Sequence, residues 1–276
     1  WAANDVKRFE AAQDTQMRDL ARFYHHYYAR TLTSFRDRYR SNILGAFRAL
    51  QDAGKIEIAT SAATHGYLPL LSRDSSIYGQ IAVGVAAYQR HFGRRPTSVW
   101  LPECAYRPAI LEQDDGRTIR RPGLESFLAG QQLEVFFSET HTVEGGTPVG
   151  KAAGEAIGPY GAVPRRYALQ VVPETNCEPG TTYQPYWVGD EPGKVAVIAR
   201  NNETGQQVWS GTFGYPGDYW YREFHRKDGV SGMRYWRIGG TSVDLGQKPP
   251  YEPARAAERV QSHADHFAGL VHNLLR

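Results

Sequence analysis

With 276 residues, 41% of them hydrophobic and 22% charged, the sequence has ordinary globular composition and ample material for a core. A formal charge of +3 is small for that length, and the pairs Arg94-Arg95, Arg120-Arg121 and Arg165-Arg166 are short and interrupted, which argues against a nucleic-acid surface. Cys104 and Cys177 make neither a disulfide framework nor a zinc site and suit a reducing, cytoplasmic setting, and no apolar run approaches a membrane span of roughly 18 residues.

The first residues do not read as a signal peptide. The chain opens on Trp1 rather than Met and stops at Leu274-Leu275-Arg276 without a following strand, so it reads as a fragment of a longer protein. Residues near 5 to 53 predict helix, with Leu20, Phe23, Tyr24, Tyr27, Leu32 and Phe35 at three- to four-residue spacing. Asn42 is placed to cap a second stretch, Ile43 to Ala53, ending at Gly54. Lys55 to Thr60 alternates apolar and polar side chains and predicts a strand. Helical periodicity returns over 74 to 92 through Ile77, Ile81, Val85 and Tyr88, followed by a strand from Ser98 to Leu101 that Pro102 stops.

A helix near Leu124 to Gln131 leads into a strand from Leu133 to Phe137. Strands alternating with helices predict parallel strands joined by helical crossovers, as in a barrel or a doubly wound sheet. Residues 143 to 193, rich in Gly and Pro, predict an elaborated loop or small insertion. Strands are expected at Lys194 to Ala199 and Gln207 to Ser210, then a second irregular stretch, 211 to 250, rich in Tyr and Trp. A last helix runs from about Pro253 to Leu275, with proline at its first turn.

In a parallel barrel, reactive side chains sit at the C-terminal ends of the strands. Thr64-His65-Gly66-Tyr67, Glu103, Glu139 with His141, and Arg200-Asn201-Asn202-Glu203 all fall there and would converge on one mouth. By position alone each has a plainer reading: Glu103 an exposed turn residue, His65 a bond to a loop carbonyl, Glu57 a solvated strand residue, Arg200 a partner of Glu203, Trp209 a core residue. His263 and His266 share a helix face but have no marked third metal ligand. No phosphate loop, nucleophile elbow or dinucleotide fingerprint is present.

The run Ile56-Glu57-Ile58-Ala59-Thr60 into Ala63-Thr64-His65-Gly66-Tyr67-Leu68-Pro69, and then Trp100-Leu101-Pro102-Glu103-Cys104-Ala105-Tyr106-Arg107-Pro108, resembles 1,4-α-glucan branching enzymes of glycoside hydrolase family 57. The resemblance continues through Ala199-Arg200-Asn201, Val208-Trp209-Ser210, Gly214-Tyr215-Pro216-Gly217, Tyr221 to Asp228 and Tyr235-Trp236-Arg237, almost the whole chain. It implies an α/β fold, an incomplete (β/α)7 barrel cut at both ends, and a retaining mechanism with no metal or other cofactor, acting on α-1,4-glucan. Glu103 matches the family's nucleophile. Glu57 and His65 match residues lining the same cleft, Trp209 the donor-sugar site, and Trp100 and Arg200 residues that place the nucleophile or the sugar.

The family's His-x-His motif is expected before residue 1 and its general-acid Asp beyond Arg276, so these 276 residues by themselves are expected to lack appreciable transglycosylation or hydrolysis. Where branching members carry a Tyr that closes the site, the alignment places Ala153, with Tyr160 nearby. An α-amylase-like hydrolase, a 4-α-glucanotransferase and a non-catalytic glucan-binding relative are therefore the alternative readings.

Overall fold

A computed structural model describes residues 1–114, 117–145, 156–158, 161–163, 180–189, 194–240 and 242–275. Its helices are α1 (Ala2–Ala11), α2 (Thr15–Thr33), α3 (Ile43–Asp52), α4 (Asp74–Phe92), α5 (Leu124–Gly130), α6 (His141–Glu144), α7 (Asn202–Trp209) and α8 (Pro253–Leu274). Its strands are β1 (Thr60–Ser61), β2 (Ser98–Trp100), β3 (Ile110–Asp114), β4 (Arg117–Arg121), β5 (Val135–Ser138), β6 (Ala156–Gly158), β7 (Gly161–Val163), β8 (Tyr186–Val188) and β9 (Val195–Ala199). They fall into a helical unit, Trp1–Ile58 with Tyr88–Arg94 and Asn202–Arg276, and a sheet unit, Ala59–Ala87 with Arg95–Asn201.

The sheet unit is built on one five-stranded sheet in the order β1-β2-β5-β9-β8. The first four strands are parallel, as the alternation of strands and helices predicts, and β8 adds an antiparallel edge to β9. Val99, Phe136 and Val197 lie in register across β2, β5 and β9 and are buried, so they define the core face. That face packs on Ile77, Ile81 and Val85 of α4 and Leu124 and Leu128 of α5. Strand side chains alternate faces, so Trp100, Phe137 and Ile198, also in register, line the opposite face.

Close packing of α4 on β1 needs Gly84, since a Cβ there would lie 2.0 Å from the Ser61 carbonyl oxygen. The Thr60 hydroxyl donates to the Gly84 carbonyl at 3.0 Å and holds that contact. Two short hairpins, β3–β4 and β6–β7, complete the described part of this unit. The β3–β4 hairpin, between the second predicted strand and the helix after it, is an addition to the sequence reading.

In the helical unit, Asp14 caps α2 by accepting from Met17 N at 3.0 Å, and Asn42 caps α3 by accepting from Gly45 N at 2.8 Å. The long helical stretch predicted at the N-terminus is thus three helices, with a π-helical turn over Ser34–Arg38. Phe9, Leu20, Ala21 and Tyr24 of α1 and α2 form a core with Tyr235. Tyr235 Oη donates to Asp5 Oδ2 at 2.6 Å, and Arg8 bridges Asp5 and Asp228 at 2.8 and 2.7 Å. The stretch 211–250 is irregular as expected, held by isolated bridges Arg222↔Arg237 and Trp236↔Pro250, and α8 follows it.

Two predicted strands are corrected. Of the strand expected over Lys55 to Thr60, only Thr60 enters the sheet; Ile58 N donates instead to the side chain of Gln51 at 3.1 Å, diverting the backbone from a ladder. The stretch Gln207 to Ser210 ends helix α7, because the Ser210 hydroxyl accepts from Thr212 N and Phe213 N and closes the helix, overriding the β-preference of Val208 and Trp209. Most of the loop expected over 143–193, including Ala153, Tyr160 and Cys177, lies outside the described residues.

Candidate active site

Because β1, β2, β5 and β9 are parallel neighbours, the segments that follow them emerge on one edge of the sheet. His65, Glu103, Glu139 and Arg200 are thereby brought together. His65 Nε2 lies 3.5 Å from Glu103 Oε1, with both side chains well exposed. The segments are tied to each other near their bases: Ser61 Oγ donates to the Trp100 carbonyl at 2.9 Å, and the Thr64 amide and the Gln80 side chain bond at 2.9 Å.

Glu103 is held in an uncommon backbone conformation. After Pro102 the chain turns so that Glu103 has φ 58° and ψ 25°, and Cys104 has φ 53°. His65 is left-handed too, at φ 56°. Such a conformation costs a non-glycine residue about 1–2 kcal/mol, and it persists only where surroundings compel it. Here Cys104 N donates to the Leu101 carbonyl at 2.9 Å, while the Cys104 carbonyl accepts from Ser138 Oγ at 3.2 Å. Ser138 is buried at the end of β5.

Arg200 braces the same turn from β9. Its Nη2 donates to Glu139 Oε1 at 2.6 Å and lies 3.7 Å from Cys104 Sγ. Thr140 Oγ1 donates to the Arg200 carbonyl at 2.5 Å. Burial pushes the Cys104 thiol up in pKa, with Arg200 opposing and Glu139 and Glu103 adding to the rise. A neutral buried thiol of this kind is a poor nucleophile, so its part is to receive the guanidinium.

Trp100, Cys104, Phe137, Ser138, Ile198 and Arg200 line a cavity of about 260 Å³. Trp100 and Phe137 supply its aromatic floor, their rings 5.9 Å apart and tilted by 31°. The sheet unit therefore offers a carboxylate and an imidazole on the same edge as an aromatic-lined hollow. No group of three or more His, Cys, Asp or Glu able to hold a metal ion occurs among the described residues.

Four of the six residues singled out in the sequence, Glu103, His65, Trp100 and Arg200, belong to this assembly. Glu57 and Trp209 belong to the helical unit: Glu57 lies in the exposed segment after α3 rather than on a strand, and Trp209 ends α7 with 68% of its surface exposed. Ser138 and the thiol of Cys104 went unrecognised as parts of the site. A polar residue closing the apolar run Val135-Phe136-Phe137 was the available signal for Ser138.

A mainly parallel sheet covered by helices, with acidic, basic and aromatic side chains gathered beyond its strand ends, places the protein in the α/β class. The chain belongs to glycosyl hydrolase family 57, whose sequence profile matches residues 4–264. Its fold is accordingly the incomplete (β/α)7 barrel expected from the sequence. It is 49% identical over 236 residues to a 1,4-alpha-glucan branching enzyme of Thermococcus kodakarensis, an alignment covering 85% of this chain and 32% of that protein. The chain thus spans about a third of the length of the curated relatives it matches. Among solved structures it is similar to the GH57-type branching enzyme of Pyrococcus horikoshii, at 41% identity and a TM-score of 0.75, over 99% of this chain and 45% of that one. It is also similar to the alpha-amylase AmyC of Thermotoga maritima, at 29% identity and a TM-score of 0.66, over 99% of this chain and 48% of that one.

Proposed function

We propose that the chain is part of the catalytic domain of a retaining α-glucan enzyme, a 1,4-α-glucan branching enzyme in which Glu103 is the nucleophile. One observation carries the reading: Glu103 projects from a braced left-handed turn at the end of β2, 3.5 Å from His65, in a sequence 49% identical to a branching enzyme.

The Glu103 carboxylate attacks the anomeric carbon of an α-1,4-linked glucose as the glycosidic bond breaks. A second carboxyl group, about 5–5.5 Å away, protonates the departing oxygen. In this reading an aspartate outside these 276 residues supplies that proton, and none of the residues matched to the family's motifs is assigned the role. The covalent glucosyl intermediate then passes to the 6-hydroxyl of a second glucan, forming a branch, while the second carboxylate takes up the hydroxyl proton. His65 holds the Glu103 carboxylate in its attacking orientation, Arg200 fixes the turn that carries it, and Trp100 offers a face to the sugar. Glu57 lines the cleft, and Trp209 contributes to donor binding.

Water competes for the same intermediate, and its exclusion decides between transfer and hydrolysis. The similarity to an alpha-amylase at a TM-score of 0.66 therefore supports a second reading, hydrolysis by the same pair of carboxyl groups; 4-α-glucan transfer is the third outcome open to that intermediate. The substrate would be an amylose-, glycogen- or starch-like glucan, and the setting glycogen synthesis in a reducing cytoplasm, where the buried Cys104 thiol stays reduced. Incubating the complete polypeptide with amylose tests all three. New α-1,6 linkages are the expected product; reducing ends without branches would transfer the assignment to a hydrolase, and redistributed linear lengths to a glucanotransferase.

A further inference from the structure

A second cavity, of about 410 Å³, lies within the helical unit between the end of α7, the loop from Thr212 to Asp218, and α8. Its size falls in the range of small-molecule sites, about 300–1,000 Å³. The loop is tightly wound: a Cβ on Gly217 would lie 2.1 Å from the Gly211 carbonyl oxygen, and one on Gly214 would lie 2.5 Å from the carbonyl oxygens of Gln206 and Gln207. This winding presents Phe213 at the rim with 83% of its surface exposed. Tyr215 is fixed beneath, stacked on His263 at 4.5 Å, with its hydroxyl 2.7 Å from His266 Nδ1.

The charges at the base cancel. Arg259 Nε donates to Asp218 Oδ2 at 2.8 Å, and Asp218 Oδ1 accepts from Trp220 N at 2.9 Å. Burial pushes the Asp218 carboxyl up, but the Trp220 amide, Arg259 and His263 outweigh it and hold it below its usual pKa. Burial in turn lowers the His263 imidazole despite Asp218. The base is therefore a closed ion pair beside a neutral ring, with no surplus charge for an anion or a cation.

Two further polar groups remain. The Gln207 amide and His266 Nε2 have no hydrogen-bond partner among the described residues. A wholly apolar ligand would leave both unsatisfied, at a cost of about 1–3 kcal/mol for each group desolvated. A neutral ligand with hydroxyls on its edge and C–H groups on its face meets both requirements, and a pyranose is such a ligand.

We propose that this cleft is a further α-glucan subsite, in which Phe213 offers a face to a glucose ring and Gln207 and His266 bond its hydroxyls. The proposal rests on the glucan reading above and adds to it a second point of attachment, distinct from Trp209 and from the hollow at Trp100. Its effect is on affinity for chains, because no group of the cleft is assigned to the reacting atoms.

The test uses the complete polypeptide carrying Glu103→Gln, so that bound glucan is not turned over, with maltoheptaose as the probe. Adding Phe213→Ala and Gln207→Ala together is expected to weaken maltoheptaose binding about tenfold, the scale of one well-packed aromatic contact with its hydrogen bond. The melting temperature should stay within a degree or two, since Phe213 is exposed and its loop is set by glycines and Ser210. Unchanged affinity overturns the proposal. So does a large fall in melting temperature with affinity intact, which would mean that protein covers the cleft. Production of new glucan linkages by the Glu103 form separates the two claims: activity with unaltered affinity in the double variant defeats the subsite alone, whereas no activity and no maltoheptaose binding defeats both.

Discussion

In the helical unit Asp5 is 2% exposed and holds Arg8 and the Tyr235 hydroxyl, whereas in the sheet unit the side chain of Glu103 is 70% exposed, with the His65 imidazole 3.5 Å away. The same contrast holds for Arg8 and Arg200. Arg8 links two carboxylates on distant parts of the chain, while Arg200 spends its bonds on Glu139 and on the turn beside Glu103. Removing the partners of a buried carboxylate such as Asp5 strands its charge away from water, so these bonds tie the unit together. In the proposed role Glu103 must instead keep a carboxylate oxygen available, and the cost of its left-handed backbone is offset by Ser138 and Arg200, which reach the turn rather than its side chain. Asp5 is thus engaged in holding its unit together, whereas Glu103 leaves its carboxylate exposed, as the proposed nucleophile requires.

Glu103→Gln in the complete polypeptide should sharpen the contrast most. Turnover is expected to fall by about three orders of magnitude or more, with glucan binding and melting temperature retained. Near-normal turnover would refute the nucleophile assignment and erase the difference between the units.

Tyr235→Phe is the converse change, in a group assigned only to structure. It removes the donor to Asp5 within a buried network and should destabilise by about 1–3 kcal/mol in urea denaturation, with kcat per folded molecule unaltered. A change in kcat at full folding would place this network in the catalytic machinery and break the division.

The smallest effect concerns acid. At Asp228 burial acts to raise the carboxyl, but the Ser231 and Val230 amides, Arg8 and the Ser231 hydroxyl together hold it below its usual value. Asp218 and Glu223 are depressed as well. A depressed carboxyl contributes stability that is present above its unfolded pKa and is lost as pH falls through the folded value. Stability should therefore drop as pH falls below about 4. Asp228→Asn should flatten part of that drop while lowering stability at pH 7; an acid profile identical to the parent's would show that this cluster does not set it.

Much of the fold was legible because it depends on local pattern. The period of Ile77, Ile81 and Val85 marks α4, Asn42 marks the start of α3, and alternating strands and helices imply the parallel order that puts Glu103, His65 and Arg200 on one edge. The β3–β4 hairpin and the antiparallel β8 were not legible, since strand pairing is a relation between distant segments. Nor was the helical state of Val208 and Trp209, whose β-preference yields to the closure at Ser210.

The amino-acid sequence by itself determined the family and the candidate nucleophile, because the motif around Glu103 is a matter of residue identity in order. It also determined most helices, because burial along a helix leaves a periodic trace in the chain. Only the tertiary structure decided how Glu103 is held: Ser138 and Arg200 reach its turn from β5 and β9, 34 and 96 positions from Cys104. No local rule predicts a left-handed glutamate after proline, since its cost is offset by bonds from strands that meet it only once the sheet has formed.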